Sequence, residues 1–328
     1  MTASDADWGW IDRTCRVHPW GAWRCLDHDH PGTSWAAVLH SLRRTPADQD
    51  IGLVVTRGPD ARPLAATFVC HKPIESTQFG VNTAAIGEVV TEPAGSRADH
   101  ARSLLRDVVH RAAKRAAELV TLRVDAADVE LLASAQDVGF RVCEATVAWL
   151  ANDLGAADRR SSSVRIETFE GAAIPSALTA AEIATMTAST AAWPHSHYRA
   201  DPNLTRAQVD RFYGVWIDNV TSGRWCDILH VARVDDRLAG LLSEVVDRDL
   251  RQAGGPAVRT TEWLHSVTPG VGVGRELLTA AAARLSERGS YRWWETQLRN
   301  APTIRSIEAT AAAVPARAGY TMHAWTGR

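Results

Sequence analysis

The residues of this 328-residue chain best placed to do chemistry lie between Trp263 and Leu278. There an apolar run enters Pro269-Gly270-Val271-Gly272-Val273-Gly274, and a helical pattern starts at the last glycine. The first four backbone N–H groups of a helix find no partner inside it, and the helix dipole is positive at that end. Glycines at three alternate positions lack Cβ atoms, so a bulky anion can come close to the backbone. Such a loop suits a phosphate or pyrophosphate. A tight strand-to-helix turn would also use glycine, and the loop alone leaves both readings open. Two other anion motifs are excluded. The dinucleotide fingerprint needs G-x-G-x-x-G spacing, and the P-loop needs Lys where this chain has Arg275 followed by Glu276.

Three residues on neighbouring strand-like runs, Glu244, Glu262 and His265, are of the right type to take a proton from an amine. Each has an ordinary alternative, a solvated glutamate or a half-buried, hydrogen-bonded histidine. His195, His197 and Arg199 share one loop and could bind an acidic or phosphorylated group, or stand in solvent. Cys15-x-x-His18 and Cys25-x-x-His28-x-His30 contain zinc-ligand residue types. Their spacer is short and the region is rich in tryptophan (Trp8, Trp10, Trp20, Trp23). An ordered, tryptophan-anchored extension is therefore expected, with no metal.

These residues must be positioned by elements of an α/β chain. Length suits two domains, and 45% hydrophobic with 23% charged residues suits soluble globular cores. A formal net charge of −2 argues against nucleic-acid binding by bulk electrostatics. No apolar run is long enough to span a bilayer, and the start of the chain does not read as a secretory signal. A cytoplasmic protein with five free thiols is expected.

Strand-like runs fall at 51–55, 63–70, 81–90, 119–124 and 140–150, with helices at 99–118 and 126–136. A second series follows: strand 164–169, helix 174–188, helix 206–220 with a Thr205/Gln208 capping box, and strands 227–234, 237–246 and 257–267. It closes with helix 272–288, strand 291–298, a helix from Pro302 and a strand near 319–325. Both series end on a strand, a short helix and a Gly-aromatic pair, Gly139-Phe140 and Gly319-Tyr320, the second after a spacer at 309–316. The expected organisation is an extension (1–45), a first α/β unit (46–155), a polar linker (156–163) and a second unit (164–328).

Strand, Val267-x-Pro269, Gly270-x-Gly272 and amphipathic helix together resemble the acetyl-CoA pyrophosphate loop of the GNAT acyltransferases. Thr296-Gln297-x-x-Asn300, a helix and Gly319-Tyr320 are similar to that family's closing segment. Three further stretches resemble a narrower group, the TDP-fucosamine acetyltransferase-like tandem GNAT proteins: Gln78-Phe79-Gly80-Val81-Asn82, Ser196-His197-Tyr198-Arg199-x-Asp201-Pro202 and Phe212-Tyr213-x-x-Trp216-Ile217-x-Asn219. The resemblance covers about Thr77 to the C-terminus. It implies tandem GNAT folds, each a mixed, largely antiparallel sheet flanked by helices, the first copy degenerate and without CoA.

The resemblance also implies roles. Val267 would offer backbone groups to the pantetheine arm, the amides of Gly270, Val271, Gly272, Val273, Gly274 and Arg275 would hold the pyrophosphate, and Asn300 would meet the arm further along. The loop holding His195, His197 and Arg199 would cover the acceptor. The family's usual tyrosine acid, seven residues after the asparagine, is Ile307 here, so Tyr320 or His323 would have to act instead. The implied reaction is transfer from acetyl-CoA or another acyl-CoA to a small-molecule amine. The amine would attack directly, and a backbone amide beside Val267 would hold the oxyanion. An acyl-thioester decarboxylase and a non-catalytic CoA-binding module remain alternatives. No nucleic acid or membrane is expected as a partner, and a homodimer is left open.

Overall fold

The computed structural model describes residues 5–17, 24–27, 29–43, 51–93, 96–152, 163–267, 270–284, 290–310 and 313–327. The chain opens with helices α1 (Asp5–Val17) and α2 (Thr33–Leu42). The first half follows as β1 (Gly52–Arg57), β2 (Pro63–His71), α3 (Pro73–Phe79), β3 (Thr83–Ile86), β4 (Val90–Thr91), α4 (Arg97–Lys114), β5 (Leu119–Asp125), α5 (Val129–Asp137) and β6 (Arg141–Asn152). The second half begins with β7 (Val164–Glu170), α6 (Ala180–Thr190), α7 (His197–Ala200), α8 (Arg206–Thr221), β8 (Ile228–Val234), β9 (Arg237–Val246) and α9 (Arg248–Gln252). It closes with β10 (Ala257–Ser266), α10 (Val273–Ala282), β11 (Ser290–Gln297), α11 (Ala301–Thr310) and β12 (Val314–Trp325). Of the polar linker, all but Ser163 lies outside the described residues.

Local signals account for the helix ends. Thr205 and Gln208 close both bonds of a capping box on α8, which buries Val209, Phe212, Tyr213, Ile217 and Val220. Ser96 and Asp128 cap α4 and α5. The apolar run at 81–90 divides into β3 and β4 around Gly87, whose amide bonds Phe68 O instead of continuing a ladder. Of the tryptophan-rich extension, Trp10, Ile11, Val38 and Leu39 bury against Phe68 and Val90, while Trp20 and Trp23 lie outside the described residues.

All the strands form one sheet in the order β1-β2-β3-β5-β12-β6-β11-β10-β9-β8-β7, with β4 on β2. Pairs are antiparallel except β3 with β5 and β10 with β11, which hold corresponding places in the two halves. The halves exchange their last strands. β12 runs beside β5 (Gly319 to Trp325 against Asp125 to Leu119), and β6 runs beside β11 (Tyr291 to Gln297 against Asn152 to Thr146). Gly139 turns the chain ahead of β6, but Gly319 lies inside β12, where a Cβ would meet Val124 O at 3.1 Å. The two Gly-aromatic pairs are thus not equivalent. The expected spacer is the end of α11 and the start of β12, with 311–312 outside the described residues.

Because each half's sheet is completed by the other's final strand, the halves should unfold as one unit. Urea denaturation is expected to give one transition, with tryptophan fluorescence and far-ultraviolet circular dichroism coinciding. Two resolved transitions would contradict this coupling.

Candidate active site

β10 and β11 pair from Ala257/Ser290 to Thr260/Trp293 and then part. At that point β10 carries a register shift against β9 between Thr261 and Trp263, which makes Glu262 the extra residue of a bulge. Bulges re-aim side chains and end pairing. The gap so opened is lined by Glu262, Trp263, Trp294, Glu295, Asn300 and Ile307 among others, with a volume of ≈ 80 Å³. Three of its buried polar atoms have no partner: Thr261 Oγ1, Trp263 Nε1 and Trp294 Nε1. A buried unpaired donor costs about 1–3 kcal/mol, which a polar ligand in this gap would recover.

The glycine loop stands beside the gap. Gly270 and Gly272 have φ of 90° and 80°, a region that disfavours residues with a Cβ. α10 starts at Val273 with Gly272 as its cap, and Glu276 is the first residue whose amide bonds back, to Gly272 O. The amides of Val273, Gly274 and Arg275 have no backbone partner among the described residues. A Cβ at Gly270 would meet nothing within 4 Å, so the loop's face is open. Val273 itself is buried, and its Cγ1 would be 2.7 Å from a Cβ at Gly240, which would also lie 2.6 Å from His265 O. Gly240 is thus where β9 lets β10 and α10 come together. Val267 commits its amide to Ala239 O of β9. Thr268 and Pro269 lie outside the described residues. Asn300 donates to Thr296 Oγ1 at 3.0 Å at the head of α11.

At the other end, the gap opens into a groove of ≈ 960 Å³ lined by Lys72 and Glu75 of the first half and Trp216, Trp225, Asp247 and Glu262 of the second. Glu262 borders both spaces. The walls crowding it push its carboxyl above the usual range, against the pull of Arg123. Arg123 of β5, whose side chain is 66% exposed yet ringed by protein, bonds Glu295 at 3.4 Å.

The remaining expected site residues are not gathered there. Glu244 is fully enclosed. His230 Nε2 lies 3.0 Å from it and Arg292 Nε 2.7 Å, and Arg292 also donates to Ala281 O of α10. Burial would raise its carboxyl, but His230 and Arg292 outweigh that and hold it low. His265 is bonded to Ser189 Oγ at 2.8 Å and packed on Trp193 and Trp263, and burial lowers it to about 4, so its ring is neutral. Tyr320 packs on the core beneath α4 and α5 with Met322, on the opposite side of β12 from His323. It therefore points away from the gap. Ile307 does line the gap and is 1% exposed.

Of the acceptor-loop residues, Arg199 is held by Asp210 at 2.7 Å and lies over the Tyr213 ring. His195 is partly buried, with Nδ1 unpartnered. His197 is bonded to His323. Cys15 and Cys25 pack against separate apolar clusters, and burial pushes Cys15 up to about 12. His18 and His28 lie outside the described residues, and His30 bonds Tyr291 Oη. Lys72 of the groove, Glu295 of the gap, Arg123 bonded to it and the buried Glu144 were not anticipated. They come from four elements or loops of two halves, and no spacing signals that meeting.

This is the architecture of tandem GNAT proteins. A tandem GNAT protein from the clavulanic acid biosynthesis pathway shares 17% identity over 100% of this chain and 98% of its own, with a TM-score of 0.57. A GCN5-related N-acetyltransferase from Sphaerobacter thermophilus shares 13% over 99% and 97%, at 0.58. A glucosamine N-acetyltransferase region of a fungal multi-domain β-N-acetylglucosaminidase shares 12% over 98% of this chain and 37% of that one, at 0.60. No family model and no curated protein matches the chain.

Two expectations separate structural from reactive carboxylates. Glu244→Ala leaves the Arg292 guanidinium buried without its counter-charge. Denaturant titration should show a loss of about 3–5 kcal/mol, and a loss below about 1 kcal/mol would remove the structural assignment. Glu144 is 7% exposed with an unpartnered Oε1, and burial pushes it up to about 7 against the pull of Arg299 and Arg123. A carboxyl raised in the folded state costs stability as pH climbs from its unfolded value to the folded one. Glu144→Gln should match the wild type at pH 4 and gain on it up to pH 8, by about 3 kcal/mol at most. A difference that does not change with pH refutes this.

Proposed function

We propose that the chain is an acyl-CoA-dependent N-acyltransferase that acts on a small-molecule amine, with acetyl-CoA as the donor. The observation that carries this reading is the gap between β10 and β11. It has a glycine-capped helix on one side, three lining residues whose buried polar atoms lack partners among the described residues, and a groove that shares Glu262 with it. The free amides of α10 suit a pyrophosphate, and the gap suits a thioester arm with polar groups. The cosubstrate would supply an activated acyl group. The chain's own part is to hold it between the splayed strands, with a β10 amide facing the developing oxyanion. Glu262, at the mouth, would hold the amine by charge.

The division of labour is that 164–328 holds the donor and 46–155 is a copy without one. In support, the Ser96 hydroxyl caps α4 by accepting the Asp99 amide, which is then not free for an anion. The acceptor class of amino sugars or natural-product intermediates draws on the neighbours from clavulanic acid biosynthesis and the glucosamine N-acetyltransferase region. One observation favours a second reading. Ile307 puts no hydroxyl in the gap, so decarboxylation of an acyl thioester, which needs no amine, is the alternative.

CoA should stabilise the fold by about 2.7 kcal/mol at a hundredfold excess over its dissociation constant, with one CoA per chain by titration. Gly272→Val, which places a branched Cβ at φ 80°, should abolish the CoA-induced shift whatever it does to the unliganded melting temperature. A shift that survives moves the donor site elsewhere. Release of carbon dioxide from malonyl-CoA with no amine acylated would favour the second reading.

A further inference from the structure

Among the described residues, three tryptophans have a buried indole nitrogen with no hydrogen-bond partner: Trp216, Trp263 and Trp294. All three lie on one path, since Trp263 and Trp294 line the gap and Trp216 lines the groove that shares Glu262 with it. Away from that path, the indoles of Trp10 and Trp325 donate to Glu92 and Asp201. Trp294 and Trp263 are 1% and 5% exposed, too enclosed for bulk solvent to serve as the partner. An unpaired buried donor is a standing cost, and such donors gathered on one path point to an occupant there.

The two gap indoles stand on opposite faces of the sheet. Trp294 packs with Leu277, Leu278 and Ile307 of α10 and α11. Trp263 packs with Tyr213 and Trp216 of α8 and with Trp193. Neighbours on β9 divide the same way, Leu241 with the α8 cluster and Leu242 with the α10 cluster, as alternation along a strand requires. Leu278, Ile307 and Trp193 all line the gap, so it passes through the sheet from the α10 side to the α8 side. An occupant entering from the glycine loop meets Trp294 first and Trp263 second.

Chemistry limits that occupant. An indole N–H only donates, so each one asks for an acceptor oxygen. An ammonium brings only hydrogens and satisfies neither. The carboxyl groups of Glu262 and Glu295 line the gap too, and they disfavour an anion. What fits is an uncharged chain with carbonyl groups along it, running between the apolar walls of Leu264, Leu278 and Ile307. We propose that the indole N–H groups of Trp294 and Trp263 are the side-chain donors to an acyl-pantetheine arm, Trp294 to an amide carbonyl and Trp263 to the acyl carbonyl. The assignment rests on the acyl-CoA reading above and adds to it the side chains that read the arm. It also places the acyl oxygen on the α8 side of the sheet, towards Glu262 and the groove. Donors inside the gap and carboxyl groups at its mouth then sort the two substrates, carbonyl oxygens within and an ammonium without.

Nitrogen-15 labelling of the tryptophans reads the indole N–H signals on the wild type itself. Saturating CoA, which lacks the acyl carbonyl, should move the Trp294 signal downfield and leave that of Trp263 in place. Acetyl-CoA should move both. By calorimetry, Trp294→Phe should weaken CoA and acetyl-CoA alike, about fivefold, the worth of one net hydrogen bond. Trp263→Phe should weaken acetyl-CoA by the same factor and leave CoA unchanged. If both indole signals stay in place while calorimetry shows acetyl-CoA bound, the assignment is overturned, whether or not the variants fold, and the donor reading stands. Acetyl-CoA that does not bind the wild type sinks that reading itself.

Discussion

The structure turns on the point where β10 leaves β11. Two adjacent parallel strands would close a gap if their ladder continued, and here it stops at Thr260 and Trp293. Each strand is held on its outer side. β9 keeps β10 through the bulge and the contact at Gly240, and β6 pairs β11 along its length from Tyr291 to Gln297. The gap is therefore a product of two ladders that pull apart, with no strain needed to explain it. One of those ladders belongs to the first half. The exchange of β6 and β12 is what makes the second half's opening rigid.

Beneath the gap, the buried Glu244–Arg292–His230 group does a different job from the one its residue types suggest. Arg292 reaches from β11 past β10 to a carboxylate on β9 and to the last carbonyls of α10. It joins both sides of the parting and α10. Removing one partner of such a group leaves an uncompensated charge in the interior, so the pairing holds the three elements in register. A carboxylate so fully enclosed has no surface to offer a substrate.

What could be read from the sequence was local. The capping box and stripe of α8, the strand at 237–246 and the glycine loop all follow from neighbours within a few residues. The segments at Gln78, Ser196 and Phe212 were legible as a resemblance, and they turn out to share one place. Phe79, Tyr198 and Phe212 stack within 5.3 Å of one another, while Gln208 and Arg211 bond the carbonyls of Phe79 and Gln78. They dock α3 of the first half on α8 of the second. Tyr320 shows the opposite case. A strand's period of two decides which face a side chain takes, and that required knowing that Met322 and Ala324 face the core under α4. The exchange of strands, the Arg123–Glu295 contact and the His197–His323 contact depend on pairings more than a hundred residues apart, which no periodicity records.

The first half shapes the cleft of the second. Here it supplies β6 to the gap, Arg123 to the cleft glutamate, Lys72 and Glu75 to the groove, and a mating edge for the strand that carries His323. In return, the second half's β12 fills the first half's sheet. Each contribution is a matter of placement, and each would fail if the two copies merely touched. Interleaving the strands converts two folds that could drift into one frame. The gap, and the groove lined from both halves, then meet at a single carboxylate, Glu262.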